Sequence, residues 1–199
     1  MLPGDRLICA FVENRPVGVQ FKHWFLHVTI VPWFRLEEPS DVIAQGLSRS
    51  LKSIRPFEAV ADGEARFRSR QNSPVTLLQQ PTPFTEIEQK VRAYFHKKRA
   101  LLVDETTKKH YEFRPHVTAQ GDEGLKFGDM FWCDRLYIVE QKGDYQQSRL
   151  DSYDTLEIPD SSLAPAEPAR LPRAGSRPQL DSFVLHGNYK EIVSEVCFG

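Results

Sequence analysis

Gln20–Phe34 reads QFKHWFLHVTIVPWF, and far along the chain Phe113–Thr118 reads FRPHVT. Each stretch holds the same tripeptide, His27-Val28-Thr29 in the first and His116-Val117-Thr118 in the second. With six histidines and eight threonines in 199 residues, chance supplies roughly a quarter of one His-x-Thr. Both copies sit among aromatic and β-branched residues, the composition of strands. Side chains alternate faces along a strand, so each His and Thr share one face and the valine between them takes the other. The valine is then free to anchor a core while His and Thr look into a cleft. Two ordinary half-buried strands that happen to match are the plain alternative.

A facing pair of imidazoles suits phosphodiester chemistry. The attacking oxygen must lose a proton and the leaving oxygen must gain one, and a neutral and a protonated histidine do both. Threonine hydroxyls can donate to the non-bridging oxygens, where charge builds up. His23 invites a metal reading with His27, but a zinc site needs further ligands that the sequence does not supply. No metal or other cofactor is therefore expected.

Around these motifs the elements alternate. Arg6–Glu13 reads as a strand, as does Gln20–Phe34, with Pro32 expected to end its pairing or push it to an edge. Apolar residues from Val42 to Ile54 recur at helical spacing after Ser40 or Asp41, and Pro56 stops them. Strands are expected at Phe57–Ser69, with a turn signal at Asp62-Gly63, and at Pro74–Gln79. A second helix is expected at Pro83–Ala100, with Lys97, Lys98 and Arg99 in its last turn. The polar loop Asp104–Tyr111 precedes strands at Phe113–Ala119, Phe131–Glu140 and Ser152–Ile158. This order implies an α+β fold with antiparallel sheets. Residues 159–182 carry five of the 14 prolines and read as a linker. In the tail, 183–199, Asn188 is a candidate cap for a short helix bearing Tyr189, Ile192, Val193, Val196 and Cys197, which either docks back on the body or binds a protein partner.

Composition narrows the class. Hydrophobic residues make up 40% and charged residues 27%, as in ordinary globular proteins. A net charge of −1 disfavours coating of long nucleic acid but not the grip on one phosphate or a short RNA end. Apolar runs are too short to span a membrane, no signal peptide is readable, and Cys9, Cys133 and Cys197 form no CxxC pair. A cytoplasmic location, without membrane attachment, is expected from that usage.

In these motifs the chain resembles the 2H phosphoesterase superfamily, the group containing bacterial RNA 2′,3′-cyclic phosphodiesterases, also called 2′-5′ RNA ligases. Phe113-Arg114-Pro115-His116-Val117-Thr118 is similar to its aromatic/Arg-Pro-His-x-Thr pattern, and Leu26-His27-Val28-Thr29-Ile30 to its apolar-His-x-Thr-apolar pattern. The resemblance covers about residues 6–158. It implies a bilobal α+β fold, two antiparallel sheets with flanking helices related by pseudo-twofold symmetry, each lobe giving one motif to a central cleft. It further implies His27 and His116 as the acid–base pair and Thr29 and Thr118 as phosphate binders. Only Asn14–Val19 separates the first two strand-like runs, where family members commonly have a long helix.

Further candidates for substrate contact are Arg114, two residues before His116, Trp33 and Phe34 as stacking rings, and Tyr145 past a Gly-Asp turn. Each has a bland alternative in packing or strand bracing. The expected activity is opening of 2′,3′-cyclic phosphates on RNA ends or nucleotides. The alternatives are a 2′-5′ oligonucleotide phosphodiesterase or ligase and a non-catalytic module that binds RNA ends or a partner.

Overall fold

The computed structural model describes residues 1–66, 74–103, 113–143 and 188–198. The strand expected at Ser152–Ile158, the linker 159–182 and Tyr145 lie outside the described residues. The strands are β1 (Arg6–Phe11), β2 (Gln20–Phe21), β3 (His27–Arg35), β4 (Phe57–Arg66), β5 (Pro74–Leu78), β6 (Leu101–Leu102), β7 (His116–Thr118), β8 (Met130–Cys133), β9 (Arg135–Gln141) and β10 (Lys190–Cys197). They join in one sheet in the order β2-β10-β9-β1-β3-β7-β5-β4-β8, with β6 pairing β3 off that path. Every pair among them is antiparallel. This is the expected α+β architecture, with the two halves of the sheet meeting at β3 and β7.

Alternation along the central strands builds two cores, one on each face. Ile8 and Ala10 of β1 and Val28 and Ile30 of β3 pack on one face with the buried residues of helices α1 (Ser40–Leu51) and α2 (Pro83–Lys98). Leu7, Cys9 and Phe11 point the other way, into a smaller cluster with Phe21, Trp33, Tyr137, Val139 and Ile192. The helices are set by local signals. Thr82 Oγ1 accepts the Phe84 N–H at 3.2 Å, Pro83 takes the first helical position, and Arg99 closes α2 in the left-handed conformation at φ 56°. Gly46 lets α1 approach α2, because a Cβ there would lie 2.5 Å from Tyr94 Oη. Among the described residues no helix is long and apolar enough to cross a membrane.

Three expectations need correcting. Pro32 neither ends β3 nor pushes it to an edge: β3 runs on to Arg35 between β1 and the β6 and β7 strands. Two register shifts against β1 let it do so. Cys9 faces Thr29, Ile8 faces Val31 and Arg6 faces Phe34, so β3 carries an extra residue in each interval, and bulges admit a proline in an interior strand. Asp62-Gly63 is likewise a bulge inside β4 and not a turn, since Ala61 faces Leu78 and Gly63 faces Leu77. The tail does dock on the body, but as strand β10 and not as a helix. Its β-branched residues pair along β9, and Ile192, Val196 and Phe198 enter the two cores.

Candidate active site

The pairing of Val28 with Val117 joins β3 to β7. Both valines are fully buried on the helix side, so their neighbours emerge on the opposite face. Continuing the antiparallel register one step each way sets His27 beside Thr118 and Thr29 beside His116. Directly opposed side chains have Cβ atoms about 4.5–5.5 Å apart and diagonal ones about 7–8 Å. The two histidines thus occupy one diagonal of a small square and the two threonines the other. Apolar neighbours flank it: Phe11 pairs with His27 and Cys9 with Thr29 on one side, Leu77 with His116 and Val75 with Thr118 on the other.

Both imidazoles are held by the same bond. His27 Nδ1 lies 2.7 Å from the Phe25 carbonyl, and His116 Nδ1 lies 2.7 Å from the Arg114 carbonyl, each two residues upstream. A carbonyl only accepts, so each Nδ1 donates, and Nε2 is the nitrogen at which each ring can take up or give a second proton. Burial pushes the His27 imidazole below the ordinary histidine range; the Phe25 carbonyl opposes this, and the nearby His116 imidazole adds to the lowering. Burial also lowers His116, against the pull of the Arg114 carbonyl. The influence of His116 on His27 accords with their diagonal placement across the β3–β7 pairing.

Two aromatic rings pack on His27. Trp24 stacks on His27 with ring centroids 4.5 Å apart and planes at 30°, and Phe11 meets it edge-on at 6.1 Å. Trp24 and the buried Lys190 beside it were not legible as site residues. In one unbroken strand over Gln20–Phe34, Trp24 and His27 would fall on opposite faces and His23 and His27 on the same one. The chain instead leaves strand geometry after Phe21 and re-enters it at His27. Trp24 swings onto the His27 ring, and His23 ends exposed. Among the described residues no group of three or more His, Cys, Asp or Glu side chains is placed to hold a metal ion.

The outer candidates fare differently. Phe34 is fully buried in the helix-side core, its ring tilted against Phe95 with centroids 4.4 Å apart, which corrects its assignment as a stacking ring for substrate. Trp33 is also buried, in the smaller core 6.1 Å from Trp24, and packs there instead of standing at a cleft mouth. Arg114 lies before β7 begins, and its side chain is exposed at a cavity shared with Gln89 and Arg92 of α2, while its carbonyl accepts from His116 Nδ1.

A family model described as the 2′-5′ RNA ligase superfamily matches residues 12–144, so the chain belongs to that superfamily. No curated protein matches it by sequence. Three solved structures show what it is similar to. The protein TT0787 of Thermus thermophilus is 16% identical over 71% of this chain and 91% of its own, with a TM-score of 0.47. E. coli LigT complexed with 3′-AMP is 16% identical over 71% and 90%, with a TM-score of 0.42. A protein described as a phosphoesterase is 17% identical over 72% and 91%, with a TM-score of 0.44.

Proposed function

We propose that this chain opens 2′,3′-cyclic phosphates on RNA ends or nucleotides, with His27 and His116 as the acid–base pair and Thr29 and Thr118 as phosphate binders. The observation that carries the reading is the matched pair of Nδ1–carbonyl bonds flanking the Val28–Val117 register point. Those bonds assign Nδ1 of each ring as a donor and so make Nε2 the atom that exchanges protons in the proposed step. The neutral Nε2 takes a proton from water as its oxygen bonds to phosphorus. The bond from phosphorus to one ribose oxygen breaks, and the protonated Nε2 of the other histidine gives that oxygen its proton. A phosphomonoester and a free hydroxyl result. The threonine hydroxyls donate to the non-bridging oxygens as the five-coordinate phosphorus forms. The scheme needs no metal, because the imidazoles supply both proton transfers.

The same steps with an RNA 5′-hydroxyl in place of water form a phosphodiester and free one ribose oxygen, which is ligation through the same two residues; run backwards, that step cleaves the linkage to a cyclic phosphate. The test is incubation of the full chain, in EDTA, with 2′,3′-cyclic AMP and with an RNA ending in a 2′,3′-cyclic phosphate, followed by phosphorus NMR. Appearance of a monoester signal is expected. Unchanged cyclic ester with both substrates would contradict the reading.

A further inference from the structure

Beyond the matched span of residues 12–144, the C-terminal strand reaches the site. Lys190 opens β10 and pairs with Gln141 of β9 and with Phe21 of β2. Its register places it on the sheet face that carries Ile192, Val139 and Phe11, the face of the two histidines. Only 8% of Lys190 is exposed, which is rare for an ammonium and costly unless its charge is met. Two groups meet it, and both belong to the segment that covers His27. Lys190 Nζ donates to the Lys22 carbonyl at 3.1 Å and lies 5.4 Å from the centre of the Trp24 ring. The latter distance is within cation–π range.

The geometry points to Lys190 as a positioning residue for His27, acting through Trp24. The segment between β2 and β3 has no strand pairing of its own from Lys22 to Leu26. Lys190 pins it twice, at the Lys22 carbonyl and at the indole face. Trp24 thus contacts both the ammonium and the imidazole, stacked on the ring whose Nδ1 is already fixed by Phe25. This sets the ring plane and keeps water from one face of His27. The proposal rests on the reading of His27 as a working acid or base, but its test does not. The groups facing His27 are His116 from β7, Phe11 from β1 and Trp24 from the preceding segment, while the side chains of Lys22 and His23 are exposed. Burial, which Trp24 supplies in part, is the main influence that lowers His27.

The experiment is an NMR titration of the His27 ring in the full chain, for wild type, Lys190→Met, Trp24→Leu and the double variant. Lys190→Met keeps the apolar stem and removes the ammonium. His27 is expected to titrate higher by about half a unit or more in each single variant, as water gains access to the ring. The double variant should match Trp24→Leu alone, because one residue acts through the other. Lys190→Gln supplies the same comparison should the methionine variant fail to fold. Folded Lys190 variants with the wild-type His27 titration would overturn the proposal, as would fully additive shifts. Turnover is measured separately: loss of the proposed phosphodiesterase reading would leave the titration result intact.

Discussion

Val28 faces Val117 across the one register point that joins β3 to β7, and both side chains are buried on the helix side of the sheet. Antiparallel pairing has a local twofold axis at such a point. Each His-Val-Thr strand is therefore carried onto the other, and the square of two histidines and two threonines follows from pairing alone. The fold and the site are linked at this pair.

Removing the threonine hydroxyls tests the phosphate side of the square. Thr29→Val and Thr118→Val each keep a branched side chain on a strand and delete a donor. Each is expected to lower kcat/KM for 2′,3′-cyclic AMP about a hundredfold, with the thermal midpoint moving little. Steady-state kinetics beside thermal unfolding checks this; wild-type kcat/KM in either variant would remove that threonine from the site.

Acidity gives a signed prediction. Burial holds both histidines below their unfolded value in the native chain. As pH falls below about 6.5 the unfolded chain binds protons first, so native stability is full above that value and declines as pH passes through the folded values. The midpoint of wild type should thus fall more steeply between about pH 7 and 5 than that of the His27→Gln/His116→Gln double variant. For the same reason, the optimum of kcat/KM is expected on the acid side of about 6.5, where one imidazole of the free enzyme is charged and the other is not. Calorimetry and a pH–rate profile read the two effects.

The tail is predicted to be integral to folding. Ile192 is fully buried against Val139, so Ile192→Ala should cost about 2–5 kcal/mol in denaturant unfolding. Deleting 188–199 strips β9 of a neighbour and leaves Tyr137 and Val139 uncovered; the shortened chain is expected to lose cooperative unfolding.

The two motifs were legible in the chain because strand parity alone decides which way His, Val and Thr point. The helices were legible from apolar spacing, down to Pro83 at the start of α2, but not from caps: α1 follows Pro39 with no side-chain cap, and the α2 cap is Thr82. What escaped depended on partners distant in sequence. The bulges that admit Pro32 are set by pairing with β1, and nothing local announces them. The tail looked helical because its apolar residues fall three and four apart. The register shift between Ile192 and Ser194 produces that spacing in a strand, since the extra residue, Val193, moves the following positions to the other face. Trp24 was missed through the assumption of one continuous strand, and Lys190 because its place depends on β10 pairing with β9 and β2.

The most direct test of the paired-histidine site is turnover of a cyclic-phosphate-ended RNA, in EDTA, by wild type, His27→Ala, His116→Ala and the double variant. Each single substitution is expected to lower kcat by about a hundredfold to ten-thousandfold, with the double variant no slower than the worse single one, because the two residues act as a unit. Near wild-type turnover by either folded single variant would contradict the account.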